Sequence, residues 1–316
     1  MSRTHKLLRG ALLLGATGAL VAGCNSDASV VTTTPANNIF QSYVALGNSI
    51  TAGYESGGIN DSTQRQSYAV LLARSMGTRF AYPALNMPGC PPPIANFQTQ
   101  ARVGGASSTG STCLLRTGSS ATATLNNVAV PGINSVDPTA IVGPDSNALT
   151  ELFLGGKTMV RKALDAHPTF ATVWVGNNDI LSFAILGQPA GATPQTKFVQ
   201  SYSAMINQLV AGAQGLKGVL IGVAPVSQIP VMFTARALQS QAFVGALDAA
   251  THKQIIVDPT TCTPTTNSLI GMPIVSAIAS GQHPPIIECE KTPTPPLGDI
   301  FVLDAGEQAQ VATIIA

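Results

Sequence analysis

Three short segments of the sequence carry residue types that could do acyl chemistry together. In Gly47-Asn48-Ser49-Ile50-Thr51-Ala52-Gly53 a serine sits on a turn bounded by glycines. Such a serine is exposed and can attack a carbonyl carbon once a base takes its proton. Val130-Pro131-Gly132 offers a glycine whose amide N–H can approach a reacting oxygen closely, and Gly176-Asn177-Asn178-Asp179 offers an asparagine side chain as a second neutral donor. Two such donors aimed at one point stabilise the oxyanion of a tetrahedral intermediate. Singly, the signals are weak, because a Gly-x-Ser turn is common and an asparagine after a strand is ordinarily a turn residue. The chemistry requires that all three segments meet.

The elements around them predict that meeting. Phe40-Gln41-Ser42-Tyr43-Val44-Ala45-Leu46 is a β-branched and aromatic run stopped by Gly47, which predicts a first strand. Ser67 to Met76 carries apolar residues at helical spacing with Gly77 behind them, which predicts a helix and its C-cap. Leu125 to Val130 reads as a second strand, Leu149 to Ala166 as helical, Thr172 to Val175 as a buried strand, Phe198 to Ala213 as a helix and Gly218 to Val223 as another buried strand. This alternation predicts a parallel sheet with helices on both faces. In that architecture, loops at the carboxyl ends of the strands build the site, and each of the three segments follows a strand.

The order Gly47-Asn48-Ser49-Ile50, then Gly132, then Gly176-Asn177-Asn178-Asp179 resembles the SGNH (GDSL-type) hydrolase family, matching three of its four catalytic blocks. The resemblance runs from about Phe40 to Ala316 and includes Tyr54-Glu55-Ser56-Gly57-Gly58. It implies a flavodoxin-like three-layer α/β/α sandwich around a central parallel sheet. It also implies hydrolysis of carboxylic esters, as a serine esterase or lipase, with Ser49 as nucleophile. The Ser49 amide, the Gly132 amide and the Asn178 side chain would form the oxyanion hole. No cofactor is implied, and no clustered His and carboxylate ligands suggest a metal.

The chain departs from the family in two ways. Asn48 stands where the family usually has Asp, a residue that orients the turn. More seriously, the last block, Asp-x-x-His, is missing. His5 belongs to the N-terminal segment, His167 precedes the Trp174 strand at the wrong end of the sheet, and His252 follows a helical stretch. His283, in Ser280-Gly281-Gln282-His283-Pro284, only superficially resembles the family's Asp-Gly-x-His-Pro. Asp304-Ala305-Gly306-Glu307 starts a capped helix that runs to Ala316 without a closing signal. The expectation is therefore a chain truncated before its last strand, its Asp-x-x-His and a final helix. As it stands, such a chain is nearly inactive. The alternative is a catalytically dead surface protein that binds an ester or a glycan.

Residues 1–23 place Arg3, Lys6 and Arg9 before an apolar run, the order of a secretory signal. Val21-Ala22-Gly23-Cys24 resembles the bacterial lipobox, which implies acylation of Cys24 and a lipoprotein. Acyl chains bind a bilayer with about 0.8 kcal/mol per buried CH₂, so several of them hold a domain at a membrane surface. The predicted organisation is signal 1–23, flexible tether 24–38 and hydrolase-like domain 39–316. The expected setting is exported and membrane-anchored, at the outer membrane or cell surface, as a monomer acting on a lipid ester or an acylated glycan. Of the 5 cysteines, the remaining four favour disulfides in an oxidising compartment, with the local pairs Cys90–Cys113 and Cys262–Cys289 preferred. Each pair would close an irregular, Pro-rich excursion, at 83–123 and 259–298.

Composition narrows the remaining classes. With 45% hydrophobic residues the 316-residue chain folds, and with 16 Lys+Arg against 15 Asp+Glu it presents no basic field for nucleic acid. Removal of the three basic residues of the signal leaves 13 against 15, or −2. The apolar run between Ala11 and Gly23 is too short to span a bilayer.

Overall fold

The computed structural model describes residues 35, 37–96, 99, 101–105, 124–187, 191–225, 229, 232–290 and 301–315. The predicted signal, nearly all of the tether, Cys24 and Cys113 lie outside them. The central element is the strand Tyr43–Gly47, every residue of which is buried. Its side chains alternate between two cores, as the period of a strand demands. Val44 and Leu46 pack with Phe153, Val160, Val173 and Met205, whereas Tyr43 and Ala45 pack with Val70, Ala73, Phe80 and Tyr82. The first group comes from helices Ala148–Leu154, Met159–Leu164 and Gln195–Gly212 and the strand Phe170–Trp174; in the second, Val70 and Ala73 come from helix Tyr68–Met76.

The strand pairs in parallel with Phe170–Trp174, Gly47 lying opposite Trp174, and that strand pairs in parallel with Lys217–Leu220. On the other side, residues 125–130, predicted as a second strand, run alongside as an extended segment with one isolated parallel bridge, Asn127 to Ala45, and form no strand of the sheet. The Ala45 N–H donates to the Asn126 carbonyl, the Val128 N–H to Ala45 and the Val130 N–H to Gly47, at 2.8, 3.0 and 3.1 Å. The arrangement is an α/β fold with a parallel sheet and several helices.

Local signals explain the element ends. The predicted first helix is capped by the Ser67 hydroxyl and ends on Gly77 in the left-handed region. Residues 149–166 form two helices rather than one, because Gly155 and Gly156 both take positive φ and break the run.

Two expectations need correction. The strand predicted as buried at 218–223 is Lys217–Leu220 and its side chains are exposed. It pairs only with Phe170–Trp174 among the described residues, so it forms the edge of the sheet. The stretch 259–298 is not an irregular excursion throughout. It contains strand Leu269–Gly271, helix Pro273–Ala279 and strand Ile286–Ile287. Leu269, Ile270, Ile274 and Ile278 are buried there, and Pro273 occupies the start of a helix, where its missing N–H costs nothing.

Leu269–Gly271 is the middle strand of a small antiparallel sheet, between Met232–Thr234 and Val302–Leu303. This sheet packs on helix Asn178–Ile185 through Ile180, Ala184, Met232, Leu269 and Leu303. The predicted Cys262–Cys289 disulfide is present. Cys90 is also disulfide-bonded, and its expected partner Cys113 lies outside the described residues. The C-terminal helix Ala305–Ile315 has the predicted cap, with the Asp304 carboxylate accepting from Glu307 N–H and the Asp304 N–H donating to the Glu307 carboxylate.

Asn126 bridges the segment 125–130 to its surroundings. Its Nδ2 donates to the Tyr43 carbonyl at 2.8 Å and its Oδ1 accepts from Ala81 N–H at 2.9 Å. Orphaning buried partners costs about 1–3 kcal/mol each, so Asn126→Ala, which leaves two of them, should lower the unfolding free energy by about 2–6 kcal/mol. Asn48→Ala, at a buried side chain that makes no hydrogen bond, should cost less than about 1 kcal/mol on the same argument. Urea denaturation of the two variants checks the contrast.

Candidate active site

The site grows from the end of the first strand. Gly47 passes directly into the four-residue helix Ser49–Ala52, and Thr51 folds back so tightly that a Cβ on Gly47 would lie 2.0 Å from its Oγ1. Only glycine permits that turn. Ser49 is the first residue of this helix and is partly exposed, with its N–H at the helix start, where intrahelical acceptors are lacking. Asn127 pins the helix from below, its Nδ2 donating to the Thr51 carbonyl at 2.8 Å. Tyr68 holds it from the other side, its hydroxyl 3.2 Å from Thr51 Oγ1, and burial pushes that phenol up.

Gly132 comes to the same edge through the parallel run of 125–130 beside the first strand. Its φ of +94° is in the region that favours glycine. Asn147 Nδ2 donates to the Pro131 carbonyl at 2.7 Å. Because the peptide is trans and planar, the Gly132 N–H points away from the carbonyl that Asn147 holds. That N–H has no hydrogen-bond acceptor among the described residues.

Asn178 arrives by the third route. Trp174 is level with Gly47, and the chain turns at Gly176 into helix Asn178–Ile185. Asn178 Nδ2 donates one of its two protons to the Ile133 carbonyl at 2.8 Å, which places this side chain beside the residue that follows Gly132. The second proton remains for another acceptor. The structure thus puts Ser49, Gly132 and Asn178 at one carboxyl edge, each held by a separate hydrogen bond or register.

Polar groups without partners concentrate here. Asn48 is buried with neither Oδ1 nor Nδ2 bonded, and the same is true of Trp174 Nε1 and Asn177 Oδ1. Buried orphans of this kind are rare and mark strained or functional regions. Behind Gly132, Asp137 and Asp179 are buried carboxylates that burial pushes upward.

None of the histidines joins Ser49 among the described residues. His167 lies near the amino end of the sheet, since Thr169 N–H donates to Ser42 O at the start of the first strand. His252 closes helix Gln241–Thr251 in a left-handed conformation. His283 is buried in the smaller lobe, its Nδ1 2.7 Å from the Pro284 carbonyl and its ring edge-on to Phe301. Among the described residues, no group of three or more metal-ligating side chains occurs and no helix is long and apolar enough to cross a membrane.

Sequence reasoning missed Asn127, Ser135, Asn147 and Asp179, the residues that hold the three segments in place. The only signal available for them was a polar residue inside an apolar or Gly-Pro stretch, as in Leu125-Asn126-Asn127-Val128.

The fold is an α/β architecture whose parallel sheet brings Ser49, Gly132 and Asn178 to one edge. Residues 43–268 match the profile of the family described as GDSL-like Lipase/Acylhydrolase, and the chain belongs to that family. No curated protein and no solved structure matches the chain.

The raised carboxylates fix a pH dependence. In the folded protein Asp137 and Asp179 hold their protons to higher pH than in the unfolded chain, so their contribution to stability is fully present below the ordinary carboxylate value. It is lost as pH rises through the raised values. Asp137→Asn should therefore flatten the decline of unfolding free energy with pH on the alkaline side of pH about 4, the reference carboxylate value. Denaturant titrations at several pH values read the slope.

Proposed function

We propose that this protein is a serine esterase in design, with Ser49 as nucleophile and the Ser49 amide, Gly132 amide and Asn178 side chain as its oxyanion hole, on a flavodoxin-like three-layer sandwich. The observation that carries the reading is the delivery of these three residues to one sheet edge by independent constraints. Ser49 would attack the ester carbonyl carbon, and the oxygen would take up charge between the amide donors. Collapse would expel the alcohol and leave an acyl-serine, which water would then release as the acid.

Proton transfer is the missing component. The sequence contains no Asp-x-x-His, and no described histidine hydrogen-bonds Ser49. Loss of the base in a serine hydrolase costs many orders of magnitude, about 10⁶-fold in one protease. The chain by itself should thus hydrolyse 4-nitrophenyl butyrate at a rate close to background, and Ser49→Ala should make no measurable difference. Extending the chain after Ala316 with a strand and an Asp-x-x-His block should raise that rate, and Ser49→Ala in the extended chain should abolish the gain. A gain that survives Ser49→Ala would remove Ser49 from its role.

That no described histidine reaches Ser49 supports a second reading, a catalytically silent family member that retains an ester or acylated glycan. Equilibrium binding of a short-chain ester, unchanged in Ser49→Ala, would support it.

The proposed setting is a bacterial membrane surface, reached through acylation of Cys24 at the Val21-Ala22-Gly23-Cys24 sequence, with the domain monomeric on its tether. Palmitate incorporation that persists in Cys24→Ala would overturn the anchor.

A further inference from the structure

Asp179 directly follows the proposed oxyanion donor Asn178, and nothing in the chemistry above uses its carboxylate. It is buried, at 4% exposure. Its Oδ2 accepts the Ser135 N–H at 2.9 Å and its Oδ1 accepts the Ser135 hydroxyl at 2.7 Å. Its own carbonyl accepts the Thr193 N–H at 2.9 Å, which ties in the segment that follows the helix. Two adjacent residues therefore grip one turn. Asn178 holds the Ile133 carbonyl, and Asp179 holds both donors of Ser135. On the far side of Gly132, Asn147 holds the Pro131 carbonyl.

We infer that Asp179 is a positioning residue for the oxyanion hole: it clamps the turn after Gly132 to the helix that carries Asn178 and so fixes the spacing of the two amide donors. This rests on the Ser49 reading given under Proposed function. The carboxylate takes both donors of Ser135 at once, one on each oxygen. Asparagine has nearly the same shape; its oxygen still accepts the Ser135 N–H while its NH₂ meets the Ser135 oxygen, so Asp179→Asn replaces two bonds to a carboxylate by weaker neutral ones. The effect of Asp179→Asn is thus one of hydrogen-bond strength and not of volume. An oxyanion must take its donors at about 2.7–3.1 Å, so a turn that is free to drift weakens the hole without dismantling the fold.

The test uses an oxyanion mimic that needs no general base. Butylboronic acid adds to a serine hydroxyl to give a four-coordinate boronate, with the displaced proton passing to solvent and a boron hydroxyl taking the oxyanion position. With the full chain, ¹¹B NMR should show a four-coordinate signal that Ser49→Ala abolishes. Asp179→Asn should raise the dissociation constant about three- to ten-fold, as two bonds to a carboxylate become neutral ones and the turn loosens. The Ser135 amide should also exchange with solvent faster. Ile278→Val, in the core of the smaller lobe, should lower stability and leave boronate affinity unchanged. If Asp179→Asn does not fold, Ser135→Ala removes one arm of the clamp and should weaken the adduct several-fold. Wild-type affinity in both clamp variants would overturn the inference while leaving the Ser49 reading intact. A wild-type chain that forms no Ser49-dependent adduct would overturn that reading and the inference with it, and the two failures are distinguished by the wild-type spectrum alone.

Discussion

The parallel register of the central strands is the constraint on which the rest depends. Gly47 lies level with Trp174, and the Val130 N–H reaches the Gly47 carbonyl. Three chain segments separated by many tens of residues therefore end at one height, and whatever follows each end is delivered to one place. The register is itself enforced by burial on both faces. A slip of one residue would move Val44 and Leu46 out of one core and Tyr43 and Ala45 out of the other.

A set of side-chain amides fixes the loops that follow this alignment. Asn126 and Asn127 anchor the first strand and the Ser49 helix to the neighbouring segment. Asn147 and Asn178 hold the carbonyls on either side of Gly132. Neutral amides suit this work, because each supplies a donor and an acceptor without the desolvation cost of a charge. The exception is the ionisable Asp179, which occupies a position where two donors from one residue converge.

The smaller lobe has its own logic. Its three-stranded antiparallel sheet packs on the helix that begins with Asn178, with Ile180 and Ala184 against Met232, Leu269 and Leu303. The lobe is tied internally by the Cys262–Cys289 disulfide and by a core of Phe233, Leu247, Ile270, Ile274 and Ile278. His283 belongs to that core, packed on Phe301, which accounts for a histidine whose sequence setting looks catalytic.

Much of this was determined by the sequence alone. Periodicity and caps gave the first strand, the helix from Tyr68, the Trp174 strand and the capped C-terminal helix, since these depend on local residue preferences. The turns at Ser49, Gly132 and Asn178 were legible for the same reason, as each is a short run with its own turn chemistry. Only the tertiary structure decided the status of Lys217–Leu220, because an apolar strand reads alike whether or not a neighbour covers it, and lateral pairing is not local. It alone revealed the small sheet within the Pro- and Thr-rich stretch, where few residues carry the pattern and burial completes it. The roles of Asn127, Asn147, Ser135 and Asp179 also required it, because a hydrogen bond between residues 44 or 76 positions apart leaves no trace in the spacing of either partner.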